Sequence, residues 1–467
     1  MNLVAKITEF GTVAGTYVVD FVASVAMSLV LPAFVSLETY ATLRVYLLYV
    51  SFVSVLNFGF NDGVYVKYGA FDYDNLPKQL INALIRHVAL QGILFGTIVT
   101  FAGLFGVPDI DAIVAVFLGI NTLVLNLNGL FVFINQFTRR FSTNLVNNLL
   151  AKAAQVTLVL IVIVAKLDNP YFIIAAISAS NVICLCLNAV NNRELIQAGL
   201  PDRESAKSAL VMCYKSGVAI MVGYYASQLI LSIGQFAASA ACSAETFAFF
   251  SFAFSIMNFL NVFINSVSAW LYPSLKRLAR STTFGRVACT INTACSCGVV
   301  ALLECGFILV AFVSLAISRY EGSIEYFFIL FPSVAFSGVI KMVFGNMYKV
   351  CERERQYMTL NVFAAIVAVT LVAVVSFVFP GRAEALACIT TLAVVIQYSL
   401  LAFGIRDSFR GGSVASGTLV ILLGFAAFVL VARLRLNYLM MAALYLPVAL
   451  ISACAMAVIS RREIKNL

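Results

Sequence analysis

From about residue 12 to residue 460 the chain is a succession of apolar runs broken by short polar stretches. Each run matches or exceeds the ~20 residues that a helix needs to cross the hydrocarbon core of a bilayer. That feature fixes the solvent. Only 11% of the residues are charged and 62% are hydrophobic, whereas a soluble domain carries roughly 25% charged residues. A surface built from this chain belongs in lipid, and the fold class expected is an all-α integral membrane protein.

Fourteen spans are expected: 12–35, 40–60, 81–105, 111–135, 144–165, 170–190, 209–235, 246–270, 293–317, 325–348, 358–379, 383–404, 413–432 and 438–460. They are numbered 1 to 14 below. An even number puts both termini on one side. Of the thirty Lys and Arg residues, twenty fall in the terminal segments and the alternate loops on that side. Five lie in the opposite loops (Lys166, Arg319, Arg382, Arg433, Arg435) and five inside spans (Arg44, Arg86, Lys152, Lys215, Lys341). Positive loops stay in the cytoplasm, so both ends are expected there. The first run is long enough to span, Glu9 stands in its leader and no A-x-A site follows, so no cleaved signal is expected.

The net charge of +9 is dispersed among short loops, which does not suit nucleic acid. The eleven cysteines fall almost entirely inside apolar runs, and the C-x-C pairs Cys184/Cys186 and Cys295/Cys297 have no His cluster beside them. With His87 the single histidine, neither a metal site nor a cofactor is expected.

The stretch Asn57–Lys78, NFGFNDGVYVKYGAFDYDNLPK, is one of the two longest polar breaks. Gly59, Gly63 and Gly69 allow tight backbone geometry there, and Asp72, Asp74, Asn75 and Pro77 keep a helix from simply continuing. It reads as a cytoplasmic loop. A weak internal repeat follows: spans 4 and 10 end with an Asn (Asn135, Asn346), an aromatic two residues on (Phe137, Tyr348), then basic residues and a new span. The parse is a six-helix lobe at 1–190, a cytoplasmic linker at 191–208 and a second six-helix lobe at 209–404. Two additional helices and a tail occupy 405–467. Six is even, so the two bundles form a parallel repeat, a layout suited to alternating access.

Polar groups inside spans each need a reason. Thr12, Thr16, Asp20, Ser24 and Ser28 recur every four residues, a polar stripe down span 1. Either it lines a wet cavity with Asp20 as a cation or proton site, or Asp20 is hydrogen-bonded to a neighbouring helix. Glu304 lies near the middle of span 9, on an otherwise apolar face that favours a structural pair with Lys or Arg over a proton relay. Arg86, Lys152, Lys215 and Lys341 all sit within about two turns of a cytoplasmic end, where long side chains snorkel to the headgroups. Asn148, Lys152 and Gln155 share a stripe, as do Ser333, Ser337, Lys341 and Tyr348, which favours Lys152 and Lys341 as cavity residues. A cationic cavity mouth would suit a pyrophosphate. Neutral candidates for a sugar path are Asn121 and Asn128 (with Asn135, seven apart), Tyr225, Gln228 and Gln235 in span 7, and Asn258, Asn261 and Asn265 in span 8. For any one of them interhelical hydrogen bonding is the competing use.

The stretch FGFNDGVYVKYG after span 2, the stretch AETFAFFSFAFSIMNFLNVFINSVSAWLYPSLKRL around span 8 and the 6+6+2 layout carry a resemblance. In these the chain resembles, over essentially its whole length, the bacterial polysaccharide repeat-unit flippases. Those are the O-antigen and exopolysaccharide exporters of the multidrug/oligosaccharidyl-lipid/polysaccharide (MATE-like) superfamily. The resemblance implies transfer of an undecaprenyl-diphosphate-linked oligosaccharide from the cytoplasmic to the periplasmic leaflet of the inner membrane. It implies alternating access driven by an ion gradient, no enzymatic step, and work beside a polysaccharide polymerase and a chain-length regulator. Lys152, Lys215 and Lys341 match by position the family's cavity cations. Relatives often carry a basic residue in a stretch like LILSIGQF at the end of span 7; Gln235 stands there instead, which points to a neutral sugar unit. The alternatives are a multidrug or organic-cation antiporter of the same fold, which Asp20 would serve, and a cell-wall or teichoic precursor flippase. Short outer loops and the absence of catalytic clusters oppose a membrane-bound transferase.

Overall fold

The computed structural model describes residues 15, 18–69, 71–106, 111–278, 284–409, 414–434 and 436–466. Among them there are helices and no strands. Twelve helices are long and apolar enough to cross a membrane, from Leu37–Asn57 to Tyr438–Ile459. Two shorter apolar helices, Val18–Phe34 and Ala244–Met257, stand at spans 1 and 8. The fourteen expected spans are therefore all present as helix, and the chain is a multi-pass membrane protein. Its outer surface fits oil: Phe105, Leu315 and Phe377 are each more than 80% exposed.

Local chemistry sets the ends of the spans. Ser36, Asp111 and Asn169 each accept a backbone N–H of the helix that follows, and Pro170 occupies the first turn where its missing N–H costs nothing. Asp168 also receives the Ser36 backbone N–H and hydroxyl, joining the start of span 2 to the end of span 5.

The chain forms two compact units, Met1–Tyr225 and Ala226–Leu467. The division falls within the long helix Arg203–Ala241 of span 7. Each unit contains the same device. Span 4 ends with Arg139 in the left-handed region and the Arg140 N–H bonded back to the Asn135 carbonyl at 2.7 Å. Span 10 ends with Glu352 left-handed and the Arg353 N–H on the Tyr348 carbonyl at 2.8 Å. Arg140 then donates to the Asn191 carbonyl (3.1 Å), and Arg353 to the Gly404 carbonyl (3.5 Å). Arg139 to Glu352, Arg140 to Arg353 and Asn191 to Gly404 are each 213 positions apart. Both arginines thus sit on the unsatisfied carbonyls at a helix C-terminus, where a cation is favoured. The register of this repeated turn pairs Asn135 with Tyr348 rather than with Asn346.

In the N-terminal unit the stretch after span 2 is not a loop throughout. Phe58 and Gly59 are both left-handed, which stops one helix and starts another, Phe60–Tyr68. Phe60, Val64 and Tyr68 lie four residues apart on one face and bury into an apolar cluster with Ile81, Leu130 and Cys213 of spans 3, 4 and 7. Leu195 of the short helix Arg193–Gln197 closes that cluster. Lys78 holds the short helix through Glu194 at 2.7 Å, and this bond keeps the Glu194 carboxyl below its usual range. A glycine crossing sets the span 7 approach. A Cβ on Gly59 would stand 2.5 Å from the Gly217 carbonyl oxygen, and one on Gly63 would overlap the Cys213 carbonyl. Small residues four apart let backbones meet in this way.

In the C-terminal unit span 10 is the most deeply buried of the twelve long helices. Spans 13 and 14 pack on span 9. Gly417 and Gly424 leave room for Asn292, Ser296 and Val300, and Tyr445 donates to the Val300 carbonyl at 3.1 Å, just before the helix breaks at Leu303. Gly217→Ala should lower the melting temperature in detergent, at an overpacking cost of about 1–3 kcal/mol. Gly199→Ala, with nothing nearer to its Cβ than 3.7 Å, should not. Equal melting of the two variants would refute the close crossing.

Candidate functional site

Two polar stripes read from the sequence face each other in the N-terminal unit. Asn148 donates to Asp20 at 3.0 Å, and Lys152 donates to Gln155 at 3.2 Å. Further along span 1, Ser24 and Ser28 join Lys152 and Gln155 around a cavity of about 180 Å³, which span 2 closes with Tyr40 and Arg44. Thr12 and Thr16, the head of the span 1 stripe, lie outside the described residues. The Arg44 guanidinium carbon stands 5.9 Å from the Tyr40 ring centroid, and its Nε is buried without a hydrogen-bond partner among the described residues. Two cations therefore line one small cavity, and none of the described lining residues is acidic. Asp20 lies one turn before Ser24 and spends one carboxylate oxygen on Asn148. A small cavity with unmatched positive charge attracts a compact anion.

In the C-terminal unit, Lys341 donates to Asn261 at 2.9 Å. The wide turn Ile340–Phe344 breaks the regular ladder there, as such turns often do at functional positions. Ser268 donates to the Lys341 carbonyl at 2.9 Å, and Asn346 bonds both Ser268 and the Met342 carbonyl. The other members of the Lys341 stripe, Ser333 and Ser337, are buried. Lys341 and Asn261 form a pair; Asn265 is exposed, and the side chain of Asn258 lies outside the described residues.

The amides of span 4 act between helices. Asn121 donates to Ser178 and accepts from Asn181. Asn128 donates to the Asn181 carbonyl and accepts from Asn188, which also receives Asn135 and Asn147. Span 6 repeats the seven-residue spacing with Asn181 and Asn188, so the two stripes interlock. Asn121 and Asn128 are buried in that seam and are placed as structural bonds, not as cavity lining. In oil each such amide must find a partner within the protein, which explains the density of the network. Gln235 is likewise buried, within 3.4 Å of Ser251. Tyr225 stacks near Phe52 with ring centroids 6.0 Å apart, and Gln228 is half-buried.

Arg86 and Lys215 are exposed and line neither the 180 Å³ cavity nor the Lys341 pair. Glu304 begins the helix after the break in span 9; its Oε2 is buried with no hydrogen-bond partner, and no ion pair to it forms among the described residues. The expected structural pair is therefore not found among the described residues. Arg44 escaped the sequence reading. Its face carries no polar stripe, and the sole signal was a cation well inside an apolar run.

No protein-family model matches the chain, and no curated protein matches it by sequence. Solved structures do. The lipid II flippase MurJ, in an inward closed conformation, superposes with a TM-score of 0.64 at 11% identity, over 98% of this chain and 99% of that one. The eukaryotic MATE transporter AtDTX14 gives 0.56 at 14% identity over 90% and 99%. The Vibrio cholerae MATE transporter VcmN gives 0.56 at 12% identity over 87% and 97%. The chain shares the fold of these proteins.

Asn188→Leu should destabilise the protein by about 1 kcal/mol or more, because several buried amides lose their partner. Asn265→Leu, at an exposed position, should leave melting unchanged. If the two variants melt alike, the amide seam does not hold spans 4 and 6 together.

Proposed function

We propose that the chain is a lipid-linked oligosaccharide flippase. It carries an undecaprenyl-diphosphate-linked repeat unit from the cytoplasmic to the periplasmic leaflet of the bacterial inner membrane by alternating access, with both termini cytoplasmic. The observation that carries the reading is the cavity of the N-terminal unit, lined by Arg44 and Lys152 and by no described carboxylate. A diphosphate needs such a site; an organic cation needs the reverse. In the C-terminal unit, Lys341, held by Asn261, is a separate candidate cation. Asp20, bonded to Asn148 beside the cavity, is the proposed coupling group, since a proton or cation binding there would weaken that charge-assisted bond.

A second reading keeps the chemistry and changes the sugar. The flippase with the TM-score of 0.64 is described as moving lipid II, and a cell-wall precursor also presents a diphosphate to the same cations. Lipid analysis after gene deletion separates the two. A repeat-unit flippase should accumulate one undecaprenyl-linked oligosaccharide in living cells, whereas a precursor flippase should arrest growth with the cell-wall intermediate.

Charged hydrogen bonds contribute about 1.5–3 kcal/mol each, so the double variant Arg44→Ala, Lys152→Ala should lower translocation by ~10-fold or more. Its amount in the membrane should match that of the parent. Unchanged surface polymer in that variant would remove the diphosphate reading. Asp20→Asn should abolish gradient dependence; full gradient-driven transport in it would leave Asp20 a purely structural bond.

A further inference from the structure

We infer that a groove on the N-terminal unit binds an anionic phospholipid whose headgroup carries hydroxyls, such as phosphatidylglycerol. The headgroup lies against His87 between Arg86 and Lys215, and the acyl chain follows Leu90 and Leu94. The groove is separate from the Arg44–Lys152 cavity and has a volume of about 410 Å³. Its walls are Phe58, Leu90, Leu94 and Phe95, with His87, Gln91 and Tyr214 at the polar end. Leu90 is 67% exposed and Leu94 57%, which in a membrane protein marks a face turned to acyl chains.

The polar end has a direction fixed by donor and acceptor chemistry. The helix break at Phe58–Gly59 leaves the Leu56 carbonyl without a helical partner, and Gln91 Nε2 donates to it at 2.9 Å. Gln91 therefore turns its Oε1 toward Tyr214, whose hydroxyl must donate to it, at 3.2 Å. With that proton committed, the Tyr214 oxygen accepts from His87 Nε2–H at 2.8 Å. The neutral ring then presents Nδ1 as an acceptor, and no partner for it is found among the described residues. It asks for an O–H or N–H donor.

The charge asks for an anion. Arg86 precedes His87 and lies one turn before Leu90 on the same exposed face; its one described bond is from Nε to Asn82. Lys215 follows Tyr214, is exposed and forms no ion pair among the described residues. Lys67 reaches Met212, one turn before Lys215, at 2.9 Å. A phosphate satisfies these cations, and a glycerol hydroxyl satisfies Nδ1. A quaternary-amine headgroup brings positive charge and no donor.

The test is lipid retention by the full-length purified protein, measured by native mass spectrometry. The lipids are phosphatidylglycerol, phosphatidic acid, phosphatidylcholine and a polyprenyl phosphate, all with the same detergent. Phosphatidylglycerol should be retained best and phosphatidylcholine least. The double variant Arg86→Ala, Lys215→Ala should lose phosphatidylglycerol binding by ~10-fold and leave phosphatidylcholine unchanged. His87→Phe keeps a ring beside Phe60 but removes the Nδ1 acceptor, so it should erase the preference over phosphatidic acid alone. Leu90→Trp, which fills the groove without touching the charges, should lower retention of both anionic lipids. Equal retention of phosphatidylglycerol and phosphatidylcholine, or full retention in both the double variant and Leu90→Trp, would overturn the assignment. Displacement of phosphatidylglycerol by equimolar polyprenyl phosphate would also overturn it, by giving the groove to the lipid carrier. None of these readouts depends on transport.

Discussion

A polar group surrounded by hydrocarbon has no water to fall back on, and this constraint accounts for much of the structure. It explains why the amides of span 4 are zipped into those of span 6 and why Asn126 binds Asn57 and the Thr122 carbonyl. It also explains why each helix-ending carbonyl reached by Arg140 or Arg353 is worth an arginine. Where a bond is left open in such surroundings it stands out. Arg44 Nε in the cavity and Glu304 Oε2 in span 9 are two such atoms, and they differ in what faces them. Arg44 borders a space with a second cation, whereas Glu304 has no ion pair among the described residues.

The two units use the same turn for the same purpose. A left-handed residue, a backbone bond reaching five residues back and an arginine on the carbonyl of a later helix recur at an interval of 213 positions. The interior chemistry of the units is different. The N-terminal unit holds the small cavity with its serines and cations, while the C-terminal unit buries span 10 and an aromatic cluster together with the Lys341–Asn261 pair. An ancestral repeat preserves the backbone connections that oil enforces and lets the rest diverge.

The spans were legible because their signal is length and hydropathy, which neighbours do not alter. Stripes were legible too: Asp20 with Ser24 and Ser28, and Asn148 with Lys152 and Gln155, turned out to face each other. What a single helix could not reveal was its partner. The seven-residue spacing of Asn121, Asn128 and Asn135 is repeated by Asn181 and Asn188, and that coincidence in span 6 was the available sign of an interhelical seam. The helix Phe60–Tyr68 was hidden by its polar and glycine content; Gly59 and Gly63 serve a backbone crossing with Gly217 rather than a loop. Arg86 and Lys215 share charge and a place near a cytoplasmic end with Lys152, and the polar stripe beside Lys152 was the sequence sign that separated it from them.

The size of the cavity bears on what can be carried. A free oligosaccharide exposes hydroxyls on every side and needs a continuous wet path of its own width. An amphiphile with a prenyl tail keeps that tail in hydrocarbon throughout, so the protein need supply polarity for the head alone, and positive charge at one point for the diphosphate. A small cavity with Arg44 and Lys152 at one side and two serines at another meets that lesser demand. Apolar residues turned outward elsewhere on the unit, such as Leu90 and Phe101, leave a tail in its preferred solvent. Under the flippase reading proposed above, the head group would bear the electrostatic recognition.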